Sequence, residues 1–364
     1  MDAAVQEGID SGVYPAAVVV IGRHDTLLYA RGYGTLTWSP EAALPDPDST
    51  LWDIASLTKV VATASSAMRL ADAGRLNLDS PVVRYLPRFR GGRKPDVTVR
   101  MLLDHTSGLP PYRPLYRLAR RRGRAIELLY RTPLARPPGD SAVYSDLNAM
   151  VLGLVVEKVA GRPLAQVADA EVFRLLEMRR TLFHPPARLT RWVAPSGVHR
   201  GRPVRGRVND ENAVRLGGAA GHAGLFSTGA DLARYAQAWL RQGVARDGGV
   251  WVSPEMLRRF LIPGPRSGTR LLGWDTRDPL ASDTAPSVFG MRTSTATYGH
   301  TGWTGTELWI DPQRDLFLVF LTNRSFDPRS AHSTEKLKLI RARVSDATAD
   351  LVPPRCGPEP GTVC

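Results

Sequence analysis

Apolar residues near both ends of the chain follow the pattern of paired β-strands. Residues 15–23 (PAAVVVIGR) and 26–34 (TLLYARGYG) are rich in β-branched and aromatic side chains, and only two residues separate them. This spacing is typical of a tight hairpin loop. Residues 305–312 and 315–323, on either side of a short polar turn, predict a second hairpin. We therefore expect one antiparallel sheet assembled from segments that are distant in sequence.

The middle of the chain has helical periodicity instead. Apolar positions predict helices at residues 59–73, 147–159, 164–176 and 230–241, the last after a Ser-Thr-Gly start signal. A further amphipathic stretch at residues 332–347 is expected to pack back on the sheet. The pattern therefore favours an α/β (α+β) fold, in which an antiparallel sheet is flanked by helices and joined to a mostly helical region.

Length and composition exclude some classes of protein. The chain has 364 residues, of which 43% are hydrophobic, and it contains no run of about 18 apolar residues that would span a membrane. The N-terminus lacks the basic, apolar and small-residue order of a signal peptide and leads directly into an amphipathic helix and a strand. We therefore expect either a cytosolic protein or a sequence that begins at a mature start.

Both cysteines, Cys356 and Cys364, lie in a Pro- and Gly-rich tail, residues 348–364. The rest of the chain is free of cysteine, which suits an exported protein of the periplasm or cell envelope. A disordered tail and a small disulfide loop are both compatible with this sequence.

The chain is strongly basic, with a formal net charge of +13. Its densest basic block, Arg113 to Arg136, has Leu, Ile and Tyr at helical spacing and reads as an amphipathic helix with an arginine-rich outer face. No nucleic-acid-binding motif accompanies it, so specific nucleic-acid binding is not expected. The charge favours electrostatic contact with anionic envelope polymers or an anionic substrate.

Ser56 and Lys59 stand three residues apart in the stretch TLWDIASLTK. Lysine is rare here, since only five of the 48 basic residues are lysine, and a desolvated Lys can lose its proton whereas Arg cannot. Residues at i and i+3 of a helix lie on one face, roughly 5–6 Å apart at Cβ. The pair therefore predicts an activated serine nucleophile, although Ser-x-x-Lys alone is common and a solvated surface lysine is the alternative.

Two further motifs place polar groups at the ends of apolar elements. In YSDLN, which precedes an apolar helix, Tyr144 could relay a proton between nucleophile and leaving group; an ordinary half-buried tyrosine is the alternative. In YGHTGWTG, residues 298–305, small residues would let a substrate backbone lie against a strand. A backbone amide near Trp303 could complete an oxyanion hole.

Taken together and in this order, these three motifs resemble those of the β-lactamase and penicillin-binding-protein superfamily of serine hydrolases. The similarity is closest to the branch that holds class C β-lactamases, DD-peptidases, D-aminopeptidases and related esterases. It also includes LLDHTSGLP at residues 102–110 and the glycine-rich stretch at residues 217–240. The resemblance implies a β-lactamase/transpeptidase-like fold.

The resemblance also implies roles for individual residues. Ser56 would be the acylated nucleophile, Lys59 the base that activates it and Tyr144 the proton relay, while the amides of Ser56 and Trp303 would form the oxyanion hole. The implied reaction is hydrolysis of a small ester, a D-amino-acid peptide or amide or, weakly, a β-lactam, and it needs no cofactor. An efficient class C-like β-lactamase or DD-carboxypeptidase is the alternative within the family.

Two positions depart from the superfamily's usual motifs. Many members have Tyr-x-Asn where Tyr144 is followed by Ser and then Asp146, so a carboxylate replaces an amide that would contact substrate. β-Lactamases have Lys-Thr-Gly where this chain has His300, Thr301 and Gly302. Both departures predict slow β-lactam turnover. Because an unperturbed His has a pKa of about 6.5, we expect His300 to be charged in mild acid and to make the preference for carboxylate-bearing substrates depend on pH.

Pattern and resemblance together divide the chain. Residues 1–65 and 225–347 are expected to form a discontinuous α/β region and residues 66–224 a helical region, within a single domain and with the site in the cleft between them.

Other residues have simpler interpretations. His105 and His222 lie in glycine-containing loops and are expected to make structural hydrogen bonds. No spacing of His and Glu predicts a metal site. A non-catalytic ligand-sensing or structural module of the same fold is the alternative from another class of protein, but it would be expected to have lost Ser56, Lys59 or Tyr144, and all three are present.

Overall fold

A computed structural model describes residues 1–282 and 284–353 of the chain. The predictions for Cys356 and Cys364 fall outside the described residues. The strands are β1 (Ala16–Gly22), β2 (Leu27–Gly34), β3 (Trp52–Asp53), β4 (Leu182–Phe183), β5 (Gly197–His199), β6 (Arg202–Val204), β7 (Leu225–Ser227), β8 (Asp275–Thr276), β9 (Tyr298–Thr301), β10 (Glu307–Asp311) and β11 (Leu316–Thr322). The α-helices are α1 (Asp2–Asp10), α2 (Ser65–Asp72), α3 (Val82–Tyr85), α4 (Val99–Leu103), α5 (Leu115–Leu118), α6 (Arg122–Arg131), α7 (Asp146–Ala160), α8 (Leu164–Ala168), α9 (Glu211–Arg215), α10 (Gly229–Leu240), α11 (Pro254–Phe260) and α12 (Ser333–Ala349).

The main sheet joins the two ends of the chain. Its strand order is β2-β1-β11-β10-β9-β8, and all of its neighbouring strands are antiparallel. The predicted hairpins β1–β2 and β10–β11 are confirmed, and β1 pairs with β11 in a register that runs from Ala17 opposite Thr322 to Gly22 opposite Phe317. Every residue of β1 and β11 is buried, as expected of central strands that are covered on both faces.

Successive residues of β1 enter different hydrophobic clusters because side chains alternate along a strand. Val18 and Val20 join the large cluster that extends through the helical part of the chain. Val19 and Ile21 join a smaller cluster formed with α1 and α12. Helix α10 packs on the first face of β1 and β11, while α1 and α12 pack on each other across the second. The predicted antiparallel sheet with helices on its faces is therefore confirmed.

Most predicted helices are present, with differences at their ends. The helices predicted at 147–159, 230–241 and 332–347 correspond to α7, α10 and α12. The stretch predicted as a helix at 59–73 begins as a π-helix, Lys59–Ala64, before α2, and the one at 164–176 is divided into α8 and a second π-helical segment, Asp169–Phe173. The large hydrophobic cluster draws on residues from both predicted regions, and the boundaries at 65 and 225 stay a prediction.

The basic block from 113 to 136 is not the single amphipathic helix that its periodicity predicts. It forms α5 and α6, which are separated by extended backbone at Ala119 and Arg121. Short 3₁₀ segments occur elsewhere, at Lys94–Asp96 and Ala187–Trp192. In the described part of the chain, no helix has the length and apolar character needed to cross a bilayer.

Candidate active site

A small three-stranded sheet delivers the chain to Ser56. Its strand order is β3-β7-β4, and strand β3 ends at Asp53. The carboxylate of Asp53 accepts hydrogen bonds from the backbone amides of Ala55 at 3.0 Å and Asn209 at 2.7 Å. Burial raises the pKa of Asp53 to about 6, against these hydrogen bonds, which lower it. Ala55 has a φ of 46°, a conformation that non-glycine residues rarely adopt. The carboxyl of Asp53 therefore holds a strained turn directly before the serine.

Lys59 lies one turn beyond Ser56, as the i, i+3 spacing predicts. The amide of Lys59 donates to the carbonyl of Ser56 at 3.0 Å, and its Nζ donates to Ser56 Oγ at 2.8 Å. Lys59 begins the π-helical segment Lys59–Ala64, and such segments are frequent at functional sites. The side chain of Lys59 is 4% exposed, so the amine and hydroxyl meet in a site that is largely closed to water.

The amine of Lys59 has three acceptors. Besides Ser56 Oγ, its Nζ lies 2.8 Å from Asp146 Oδ1 and donates to the carbonyl of His222 at 3.2 Å. Three acceptors match the three N–H donors of an ammonium. Burial lowers the pKa of Lys59, but the charge of Asp146 and the neighbouring Tyr144 outweigh it and leave the pKa raised. These contacts favour the ammonium form of Lys59, which must lose a proton before it can act as the predicted base.

Tyr144 lies close to two cations. Its ring centre is 4.9 Å from Lys59 Nζ and 5.0 Å from the guanidinium carbon of Arg270. The ring also packs against the imidazoles of His105, at 4.9 Å between ring centres, and His300, at 5.7 Å. The ring therefore lies beside both the amine that bonds to Ser56 Oγ and a guanidinium that lines the cavity.

His300 does not supply the positive charge expected of it in mild acid. It is 4% exposed, and burial together with the charges of Lys59 and Arg270 holds its pKa well below the usual value. Its Nδ1 lies 2.8 Å from the carbonyl of Thr301, to which it donates, and its buried Nε2 has no partner in the described residues. His300 is therefore a neutral imidazole that offers the cavity an acceptor, and the predicted titration near pH 6.5 was wrong.

The turn that carries Trp303 is fixed against the chain before the serine. Thr304 Oγ1 donates to the carbonyl of Asp53 at 2.7 Å, and Thr306 Oγ1 donates to the carbonyl of Ile54 at 3.0 Å. A Cβ on Gly302 would lie 2.7 Å from that same Ile54 oxygen. Only glycine permits this close approach, and the approach brings the Trp303 turn beside Ser56.

Two backbone amides at this junction have no acceptor. Among the described residues, neither the amide of Ser56 nor that of Trp303 donates a hydrogen bond, and both residues line the same cavity. Unpaired donors aimed at a cavity can receive the negative oxygen of a tetrahedral intermediate. The oxyanion hole stays a prediction, and these two unpaired amides are the donors that it names.

A buried arginine supports the Trp303 turn from behind. Nη2 of Arg341, on α12, donates to the carbonyls of Gly302 at 2.9 Å and Thr306 at 2.8 Å. Glu307 lies 3.9 Å from Arg341 Nε, is fully buried, and has its pKa raised to about 8 by burial, against the attraction of Arg341. Arg324 follows the end of β11. Its guanidinium donates to the carbonyl of Trp303, and the guanidinium carbon lies 4.3 Å from the centre of the Trp303 ring.

The cavity that holds these groups has a volume of about 910 Å³. All the predicted site residues other than Lys59 line it, and Lys59 reaches it through Ser56: the lining includes Ser56, Tyr144, Asp146, His300, Thr301, Gly302 and Trp303. The sequence therefore identified residues that the fold brings to one place.

The sequence did not reveal two charged groups of this cavity. Arg270 lines it and pairs with Asp275 at 3.1 Å, but nothing distinguishes Arg270 among the many arginines of the chain. Asp210 pairs with His222 Nε2 at 2.8 Å, and although burial raises its pKa, the charge and hydrogen bond of His222 lower it to about 2. The pair holds the loop whose carbonyl binds Lys59. His105 makes the expected structural contact, since its Nδ1 accepts from the amide of Ser145 at 3.2 Å.

A serine hydroxyl bonded to a buried amine, beside two free amides, is suited to attack on a carbonyl carbon. The protein is a serine hydrolase. More particularly, the chain belongs to the Beta-lactamase family, which it matches over residues 1–343.

Relatives and solved structures agree with this assignment. The chain is 31% identical over 362 residues to an Escherichia coli (strain K12) protein named "Putative D-alanyl-D-alanine carboxypeptidase", covering 90% of this chain and 82% of that one. It is 30% identical to the N-acetylmuramyl-L-alanine amidase of Bacillus subtilis (strain 168), covering 90% and 81%. Its fold is similar to EstCE1, a hydrolase with promiscuous acyltransferase activity (TM-score 0.74, 23% identity, 95% and 97% covered), and to a class C β-lactamase from Rhodobacter sphaeroides (TM-score 0.74, 21% identity, 96% and 99% covered).

Proposed function

We propose that the enzyme hydrolyses the terminal amide bond of short peptides that end in a D-amino acid with a free carboxylate, through an acyl-enzyme on Ser56. The observation that carries the proposal is the position of Arg270. With His300 neutral, Arg270 is a cation that both lines the cavity and lies beside the ring of Tyr144. A guanidinium binds a carboxylate through two parallel hydrogen bonds, so Arg270 can hold the free end of the leaving group.

The proposed reaction begins with loss of a proton from Lys59. The neutral amine then takes the proton of Ser56 Oγ as this oxygen bonds to the substrate carbonyl carbon, and the amides of Ser56 and Trp303 bind the resulting oxyanion. Tyr144 passes its proton to the departing amine and takes back the one that Lys59 received from Ser56, so the carbon–nitrogen bond breaks and leaves an ester on Ser56. Water hydrolyses this ester by the reverse sequence of proton transfers.

The names of the two relatives support an amide substrate. One is named for carboxypeptidase activity on D-alanyl-D-alanine and the other for amidase activity on an N-acetylmuramyl-L-alanine bond. Such a substrate would place the enzyme in the cell envelope, which agrees with the proposed export. Hydrolysis of small neutral esters should accompany the main activity, because an activated ester needs little beyond the nucleophile and the oxyanion hole. β-Lactam turnover should be slow.

A matched pair of substrates tests the proposal. We would measure kcat/KM for a peptide ending in D-alanyl-D-alanine and for its C-terminal amide, from about pH 5.5 to 8.5, together with a short-chain nitrophenyl ester. Wild-type enzyme should prefer the free carboxylate, and because His300 stays neutral the preference should not change through the ordinary His titration. Arg270→Gln should lower the preference about tenfold or more, since a hydrogen bond to a charged group contributes about 1.5–3 kcal/mol.

The ester and a second variant serve as controls. Ester hydrolysis by Arg270→Gln should stay within about threefold of wild type, which separates carboxylate binding from any effect on Tyr144. Asp275→Asn frees Arg270 from its partner and should raise the preference for the carboxylate. An unchanged preference in both variants would show that another group holds the carboxylate. Ester turnover without any peptide turnover would make the protein an esterase.

A further inference from the structure

A groove outside the active site is lined by cations without carboxylates. Its cavity of about 610 Å³ lies between residues 90–94 (RGGRK) and 131–137 (RTPLARP). The charged residues among its described lining are Arg90, Arg93, Lys94, Arg131 and Arg136. Five like charges that converge on one small space repel one another, so the groove gains from an anion that enters it.

The surrounding acids neutralise this charge only in part. Arg93 pairs with Asp96 at 3.0 Å and Arg131 pairs with Glu127 at 2.8 Å, but neither acid lines the groove. The side chains of Arg90 and Arg136 are exposed and have no ion-pair or hydrogen-bond partner in the described part of the chain. Two guanidinium groups are therefore free to bind a ligand.

Lys94 is the most unusual member of the set because it is 3% exposed. Its Nζ donates to the carbonyl of Tyr130 and lies 5.4 Å from the ring centre of Phe89, and no described carboxylate lies within ion-pair distance. Burial lowers the pKa of Lys94, because the charged form is unfavourable where water is excluded and no counter-ion is present. An ammonium has three N–H donors, and one acceptor leaves it incompletely bonded in the wall of a cavity.

The backbone between the cations is open to close approach. Gly91 and Gly92 have φ angles of 108° and 55°, and no atom lies within 4 Å of a Cβ built on either. Gly92 in the left-handed region is followed by Arg93 at φ −87° and ψ 13°. The amides of Gly92 and Arg93 donate no hydrogen bond among the described residues, so they can bind an anion, whereas that of Lys94 donates to the carbonyl of Gly91 at 3.3 Å. Pro133 and Leu134 provide an apolar wall opposite.

We propose that this cationic groove binds a linear polyanion with phosphate groups along its length and so holds the enzyme on that polymer. A tetrahedral phosphate offers acceptor oxygens in several directions, which suits donors that arrive from two segments of the chain better than a planar carboxylate does. Several cations at once require a ligand with several charges. The inference does not depend on the substrate of the active site, because the groove is formed by other residues.

Calorimetric titration of sodium tripolyphosphate into the Ser56→Ala protein tests the groove without turnover. We expect binding that weakens steeply with salt, and the double variant Arg90→Gln/Arg136→Gln should weaken it about tenfold or more, because it removes two donors of charge-assisted hydrogen bonds. The matched control, Arg246→Gln/Arg266→Gln, removes the same charge at two exposed arginines without described partners and should stay within about twofold. Ester hydrolysis with Ser56 restored should be unchanged in both double variants.

The remaining outcomes separate the sources of phosphate. Binding to anionic phospholipid vesicles that depends on Arg90 and Arg136, with tripolyphosphate competing, would overturn the linear polymer in favour of a lipid headgroup, whereas binding to a soluble phosphate polymer alone would support it. Equal weakening by the two double variants would overturn the proposal, because net charge alone would then explain binding. If polyglutamate competed as strongly as tripolyphosphate, the phosphate preference would be overturned. If an oligonucleotide bound the groove more tightly than tripolyphosphate does, the proposed ligand would be wrong and a nucleic acid would take its place.

Discussion

Replacement of Asp146 by Asn should make the enzyme faster at neutral pH. Asp146 Oδ1 lies 2.8 Å from Lys59 Nζ, and at an effective dielectric constant near 20 two unit charges at such a distance attract by about 6 kcal/mol. This attraction opposes burial and keeps Lys59 protonated. Asn retains a hydrogen-bond acceptor but not the charge, so burial would then lower the pKa of Lys59 and populate the neutral amine.

The expected gain is smaller than the full electrostatic term. Each 1.36 kcal/mol corresponds to about a tenfold change in the population of the base, but a less basic amine is also a weaker proton acceptor. We therefore expect kcat/KM for a neutral nitrophenyl ester at pH 7 to rise about tenfold in Asp146→Asn. The acidic limb of the pH–rate profile should move to lower pH, which a profile from about pH 5 to 10 would show.

Stability gives an independent readout of the same pair. Because the folded pKa of Lys59 is raised, the pair stabilises the wild type below the unfolded value of about 10.4, and this stabilisation is lost as pH rises through the folded pKa. The Tm of Asp146→Asn should therefore be lower at pH 7 and should approach that of wild type in strong alkali. Asp140→Asn, the same change at an exposed acid, is the control and should alter neither rate nor Tm. A loss of about a hundredfold or more in kcat/KM at every pH, with the fold intact, would refute the counter-ion role and place the carboxylate in the proton path.

Four further outcomes follow from the site. Lys59→Arg should remove nearly all turnover while the protein stays folded, because Arg keeps its charge but cannot give up the proton; retention of about a tenth of the wild-type rate would exclude Lys59 as the base. Gly302→Ala would place Cβ 2.2 Å from Thr306 Oγ1, so kcat should fall about a hundredfold or more, with a lower Tm, and normal kinetics would show that the turn can shift. Arg341→Met should lower kcat for the ester about tenfold or more with KM nearly unchanged, as loss of oxyanion stabilisation would. Because burial raises the pKa of Glu307 to about 8, wild-type stability should decline between about pH 5 and 8, and urea titrations of Glu307→Gln should show a flatter dependence.

Local pattern was sufficient for the strands and the nucleophile. The β-branched runs of β1 and β11 have strand character wherever they pair, and Ser56 and Lys59 are close in space because they are close in sequence. The same local reasoning failed for the basic block at 113–136, which forms α5 and α6 instead of one long helix. Helical periodicity describes which face is apolar, and it does not show where the backbone becomes extended.

Contacts between distant segments could not be predicted in this way. The charge of His300 depends on burial beside Lys59 and Arg270, and no local pattern reports how much water reaches a side chain. Asp146 was expected to contact substrate, whereas the fold gives it Lys59 as a partner. Arg270 lines the same cavity as His300 because β8, which follows Arg270, pairs with β9, which contains His300. This long-range pairing cannot be predicted from the local sequence.

The central pairing of β1 with β11 also constrains how the protein is made. Ala17 and Thr322 are partners although about 300 residues separate them, so a ribosome must synthesise nearly the whole chain before β1 gains this neighbour, and closing so long a loop is slow. The same arrangement brings the first and last helices of the described residues together, since α1 packs on α12 and Arg343 bonds to Glu7. A circular permutant that links these helices and opens a surface loop elsewhere would turn the longest-range pairing into a local one, and it should refold faster while keeping the same active site.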